Sequence, residues 1–358
     1  MNSIRRSLSG PRPRVGDRRL YRNKQSFTKW LAVGAAVAVT LSIQSEPALA
    51  QSQVCSATQT VFQPSVGNGS QTDGSQPFTF RVPAGVTRIT IDAVGAQGGF
   101  GSGTAAPHGA EVAATVAVSP GTTLCVVAGV RGADAGSVGA GGGGSFVYAI
   151  TGGTCASNLS AVSAGSTAPN LLVAAGGGGG SSGNGSAGTP GRATGLGAGT
   201  GGAIDGDPGV GGGGAGGSGG NGGTGSAGGG GGGLLTDGTD GSACAGGKSL
   251  RNGAAGGGST GITCAANGNA AGSGGFGGGG GAGGGGGYNG GGGSNGSDGA
   301  GGGGSYSIVT PFFAQDGTTL TGAAGAVSLC YFSPGSGGNG GGDAFGAGGA
   351  AGTTSAPA

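Results

Sequence analysis

The sequence has 358 residues, of which 104 are glycine and only 8% are charged. Its 15 basic and 13 acidic residues give +2 overall, yet nine of the basic ones fall within residues 1–29, and from residue 51 onward six basic residues face eleven acidic ones, a net of −5. Six scattered cations form no basic stripe for nucleic acid, and one histidine with no Cys-x-x-Cys pair leaves zinc almost without ligands.

Taken in chain order, the first element is a leader. The basic region 1–29, the 14-residue apolar run 30–43 and Ala48-Leu49-Ala50 predict a secretory signal peptide over residues 1–50, cleaved after Ala50. The alternative is an uncleaved anchor, but the run is short of the roughly 20 residues that span a bilayer. No membrane span is expected in the mature chain. All six cysteines (Cys55, Cys125, Cys155, Cys244, Cys264 and Cys330) follow the cleavage site. An even count in an exported chain favours disulfides. The pairing is open, and Cys244–Cys264 is preferred because both lie where little else can pin the chain.

Residues 51–175 form the first part of a β-domain. The stretch 51–73 is polar and irregular. Beyond it, 78–82 and 89–93 alternate apolar with polar, Val112, Ala114, Val116 and Val118 share one face, and Leu124, Val126 and Ala128 share another. Gly- and Pro-rich turns separate these runs, and 145–150 and 170–175 add two more. After a glycine-rich insert over 176–304, residues 305–332 supply the last strands, and 333–358 is a Gly/Ser/Ala tail with nothing to bury. Short strands with punctuated turns indicate an all-β, antiparallel β-sandwich or barrel.

The insert spends 66 of 129 positions on glycine. Two arrangements are open for it: a flexible linker, and packed polyglycine-II helices, each with three residues per turn and no internal hydrogen bonds. Collagen is excluded, because no strict Gly-X-Y period occurs. Leu234-Leu235, Ile262 and Phe276, with Cys244 and Cys264, make apolar islands that favour the packed form.

Particular segments carry a resemblance. The order 91–99 (Ile-Asp-Ala-Val-Gly-Ala-Gln-Gly-Gly), 140–147 (Ala-Gly-Gly-Gly-Gly-Ser-Phe-Val), 171–180 (Leu-Leu-Val-Ala-Ala before five glycines) and 287–291 (Gly-Tyr-Asn-Gly-Gly) resembles the extracellular glycine-rich domain of the anaplastic lymphoma kinase and leukocyte tyrosine kinase receptors. It spans roughly residues 78–332. The resemblance implies a tumour-necrosis-factor-like jelly roll with an insert of packed polyglycine helices. Residues 333–358 hold no kinase-sized segment, so the expectation is a free-standing relative, and no ligand-contact residue is carried over.

Other motifs have plainer readings. Asp205, Asp207, Asp237 and Asp240 offer oxygens to Ca²⁺ but sit in Asp-Gly turns. His108 lies in a turn, outside any nucleophile-elbow context. Tyr288, Phe276 and Phe312-Phe313 either stack on sugar rings or pack on the sandwich. The functional expectation is an exported, non-catalytic binding module of bacterial type, secreted or at the cell surface. It acts in adhesion or recognition of an extracellular protein or glycan, with no catalytic residue, metal or cofactor. A matrix or envelope protein is the alternative, and a secreted hydrolase a remote one. Loops for recognition would be 196–210, 234–240 and 249–269.

Overall fold

The computed structural model describes residues 58–332, apart from 71, 102–104, 136–137, 165–169, 183–184, 194–201, 204–207, 209–213, 243, 259–264, 267–268, 271–274, 276, 281–282 and 318–323. All described residues belong to the second of two units of the chain, residues 49–358. The expected leader and tail lie outside the described residues.

The described residues form thirteen strands: β1 (Thr58–Phe62), β2 (Phe78–Arg81), β3 (Arg88–Val94), β4 (Glu111–Ala117), β5 (Thr123–Val127), β6 (Ser145–Ile150), β7 (Leu171–Ala175), β8 (Gly202–Ala203), β9 (Ala265–Ala266), β10 (Asn269–Ala270), β11 (Tyr306–Ser307), β12 (Phe313–Gln315) and β13 (Ala326–Tyr331). Two antiparallel sheets, in the orders β1-β13-β3-β4-β12 and β2-β5-β6-β7-β11-β8, make an all-β sandwich, and among the described residues β9 pairs only with β10. Alternation explains the packing: Ile89, Ile91 and Ala93 of β3, Val112, Ala114 and Val116 of β4 and Leu329 of β13 meet Leu124, Val126, Val147 and Val173 of the second sheet.

The second sheet is covered on its other face too. Val127, Phe146, Tyr148, Ile150 and Leu171 pack there against Leu234, Leu250, Ala254 and Tyr288 from the glycine-rich insert. Tyr288 stacks on Tyr306 with ring centroids 4.9 Å apart. Burial on both faces is why β7 reads Leu-Leu-Val-Ala-Ala without alternation. Leu234, Leu250 and Tyr288 of the insert are therefore the lid of a second core.

The glycine segments form a hydrogen-bonded bundle. In 284–286, successive N–H groups donate to three different neighbours: Gly284 to Gly229, Gly285 to Gly301 and Gly286 to Gly142, each at 2.9 Å. In 177–180 the donors reach Gly286, Ala96, Thr189 and Gly283 in turn, so Gly177 and Gly180 return to the same neighbouring segment. A recurrence every three residues with all bonds external is the signature of a polyproline-II-type helix. A Cβ built on Gly285 would meet the carbonyl oxygen of Gly177, and one on Gly178 that of Pro107, well inside the 3.0 Å that real Cβ atoms keep. The bundle is wider than the insert, because β3 and β7 run directly into 95–99 and 176–180, while β4 and β6 are entered from 107–110 and 139–144.

Three elements differ from the sequence expectation. The polar stretch 51–73 contains β1, which pairs along its length with β13 and brings Phe62 to 5.6 Å from Phe78. The run 305–310 yields only the two-residue β11, and β12, unexpected, adds an edge to β4.

Candidate binding surfaces

Of the six cysteines, Cys125 on β5 is joined to Cys155, at the head of a 3-10 turn over Ala156–Ala161, with Cα atoms 5.5 Å apart. Cys330 on β13 is also disulfide-bonded, and Cys244 is buried. Cys55 and Cys264 lie outside the described residues, and with them the expected Cys244–Cys264 bridge.

Asp237 and Asp240 of the insert hold the chain. Asp237 accepts bonds from the Ser249 amide (2.8 Å), Asn252 Nδ2 (2.8 Å) and Lys248 Nζ (3.0 Å), and Asp240 from the Gly246 amide (2.9 Å). Burial alone would raise the Asp237 carboxyl, but these bonds outweigh it and keep it below the usual carboxylate range. Asp205, Asp207 and Phe276 are outside the described residues. Among the described residues, no group of three or more His, Cys, Asp or Glu side chains is placed to hold a metal ion. His108 is half-buried, its carbonyl accepting the Gly191 amide at 3.0 Å. Tyr288 is buried in the second core, whereas Phe312 is 48% exposed.

A cleft of about 210 Å³ lies where four distant segments meet, lined by Thr72, Gln76, Pro77, Val127, Leu159 and Gly253. Its rim is fixed by Asp73, which accepts bonds from the amides and hydroxyls of both Ser65 and Ser75 and from Gln76 Nε2. Burial opposes ionisation of Asp73, and the surrounding donors win, holding the carboxyl far below its ordinary value. Gln76 also grips Ala128, donating to its carbonyl at 2.8 Å and accepting from its amide at 2.6 Å. With its polar groups already engaged, this cleft offers mainly apolar contact. Nothing in the sequence marks it, since residues 72–77 read as an ordinary polar turn.

At the far end of the bundle the chain reverses in a cluster of polar turns. Ser182 Oγ donates to the Ser297 carbonyl (2.8 Å), the Ala227 amide to Ser294 (2.9 Å) and the Ser242 amide to Ser226 (2.7 Å). Ser242 and Ser297 are exposed there. Of the loops expected for recognition, 234–240 and the start of 249–269 instead bury Leu234 and Leu250 against the sandwich.

The outer face of the five-stranded sheet carries a carboxyl pair. Asp92 on β3 faces Ala113 and Glu111 on β4 faces Val94, so the two acids are diagonal neighbours. Burial, then the charge and the carboxyl of the neighbouring Glu111, push Asp92 up to about 7. Thr90 and Thr115 bond each other at 2.9 Å beside them. Nineteen positions apart in sequence, the acids are joined only by strand register.

Comparison of the chain with protein-family models and with curated proteins finds no match to either.

Proposed function

We propose that this chain is an exported, non-catalytic binding module that acts in adhesion or recognition at the cell exterior, its partner an extracellular protein or glycan. The observation that supports this most is the bonding of successive amides of 284–286 to three separate neighbours. A bundle tied in three directions is a rigid body, and rigid scaffolds carrying polar turns suit recognition. The exposed serines of these turns, Ser242 and Ser297, present hydroxyl and backbone groups for hydrogen bonding. The Cys125–Cys155 bridge supports an oxidising compartment. The expected likeness to the glycine-rich receptor domain adds support from sequence order alone.

A second reading, a matrix protein, draws on Val61 (51% exposed) and Phe332 (56% exposed) near the edge strand β1, groups that self-association would bury. Antibody labelling of intact producing cells, with blots of medium and cell fractions and a glycan-array screen of the purified protein, separates the two. Surface labelling with soluble, glycan- or cell-binding protein is expected. Protein confined to a detergent-insoluble residue would move the assignment to the matrix.

A further inference from the structure

The Asp92–Glu111 pair stands at the root of the bundle. One residue beyond Val94 the Gly95 amide donates to the Ala110 carbonyl at 2.8 Å, and the Ala110 amide in turn donates to Gly176 at 2.7 Å. The pair thus braces β3 against β4 at the point where both strands leave the sandwich. β12 leans on the same spot, with Gln315 opposite Glu111.

We propose that the pair is a proton-operated latch: sharing one proton, it clamps β3 to β4 beneath the bundle, and release of that proton to water loosens the junction. The charged groups on the elements around it are Arg88, Asp316 and, near in sequence, His108. On the same face of β3, Arg88 stands opposite Ala117, at the end of the sheet away from the bundle. β1 and β13 carry no charged residue, and Ser328 of β13 faces Asp92. After Gln315, the Asp316 carboxylate accepts the Ala193 amide at 2.6 Å, and His108 precedes Glu111 by three residues. Two carboxylates this close cannot both ionise without repulsion in a partly desolvated site.

The elevated Asp92 value agrees in direction. A carboxyl that keeps its proton longer in the folded state than in the unfolded chain favours folding fully below about pH 4. That contribution is lost as the pH rises through about 7. The scaffold is accordingly tightest in mildly acidic surroundings.

Thermal unfolding of the mature protein and of Asp92→Asn at pH 5 and pH 8 tests the latch. The wild-type midpoint is expected to fall by about 5 °C between the two, with the variant nearly level. Native-state exchange at the Gly95 and Ala110 amides, corrected for intrinsic rates, should quicken at pH 8 in the wild type only. A parallel fall in both proteins, or none in the wild type, overturns the proposal. Should Asp92→Asn fail to fold, ¹³C-carboxyl NMR of the wild type decides: a carboxyl titrating near neutrality supports the latch, and carboxyls that all finish titrating below pH 5 refute it.

Discussion

The amide of Ala96, on the continuation of β3, donates to the carbonyl of Gly143, on the approach to β6, at 2.9 Å. β3 and β6 belong to opposite sheets of the sandwich. Facing sheets ordinarily stand about 10 Å apart because side chains fill the space between them. Past Val94 glycine and alanine replace the bulky apolar residues, Gln97 apart, the backbones close to hydrogen-bonding distance, and two sheets become one three-dimensional lattice. Ordering so much glycine is entropically costly, and the frame limits the cost by fixing where these segments start.

Substitution inside the lattice should therefore act through space rather than through conformational preference. Gly285→Ala is expected to destabilise by about 2–4 kcal/mol, since its Cβ meets the Gly177 carbonyl and neither backbone can yield. Gly74→Ala, with nothing within 4 Å, should change stability by less than about 0.5 kcal/mol. Urea unfolding midpoints of the two variants check the contrast.

The lid of the second core makes a different prediction. Leu234 is fully buried against the sandwich while Leu235 is only partly so. Leu234→Ala should cost about 2–4 kcal/mol and Leu235→Ala about 1. If the insert were a loose appendage, neither change would move the midpoint of the whole domain.

Cys125 and Cys155 close a loop of 30 residues. Replacing both by serine should lower stability by about 3 kcal/mol on chain-entropy grounds. The same change should loosen the 3-10 turn that lines the cleft, visible as faster amide exchange over Ala156–Ala161.

Asp73 carries the opposite pH sign to Asp92. Its folded value is depressed, so its contribution is present above about pH 4 and lost as the pH falls below that. Asp73→Asn should flatten part of the acid limb of a stability–pH curve and leave the neutral-to-alkaline limb unchanged. Asp134 and Asp237, also depressed, keep the remainder of the acid limb.

Much of the sandwich was legible because alternation is a local signal: β3 and β4 alternate toward the core as their sequences suggest. β1 was not legible, since Thr-Gln-Thr-Val-Phe becomes a strand only through its register with β13, some 270 positions away. The packed form of the insert was readable as one of two alternatives, from its apolar islands. What no local pattern revealed was that loops of the β-domain itself, 95–99 and 139–144, belong to the same lattice. The cleft beside Asp73 and the Asp92–Glu111 pair were invisible for the same reason, each being assembled from segments that only the fold brings together.

Amide hydrogen exchange across the glycine segments, followed by mass spectrometry on the mature protein at pH 6, tests the central claim most directly. Protection at Gly177–Gly180, Gly229–Gly232 and Gly284–Gly286 comparable to that of β3 and β5 is the expected result, because these N–H groups are bonded within the bundle. Exchange there at the rate of an unstructured glycine chain, with the β-strands protected, would contradict it and leave a sandwich carrying a flexible insert.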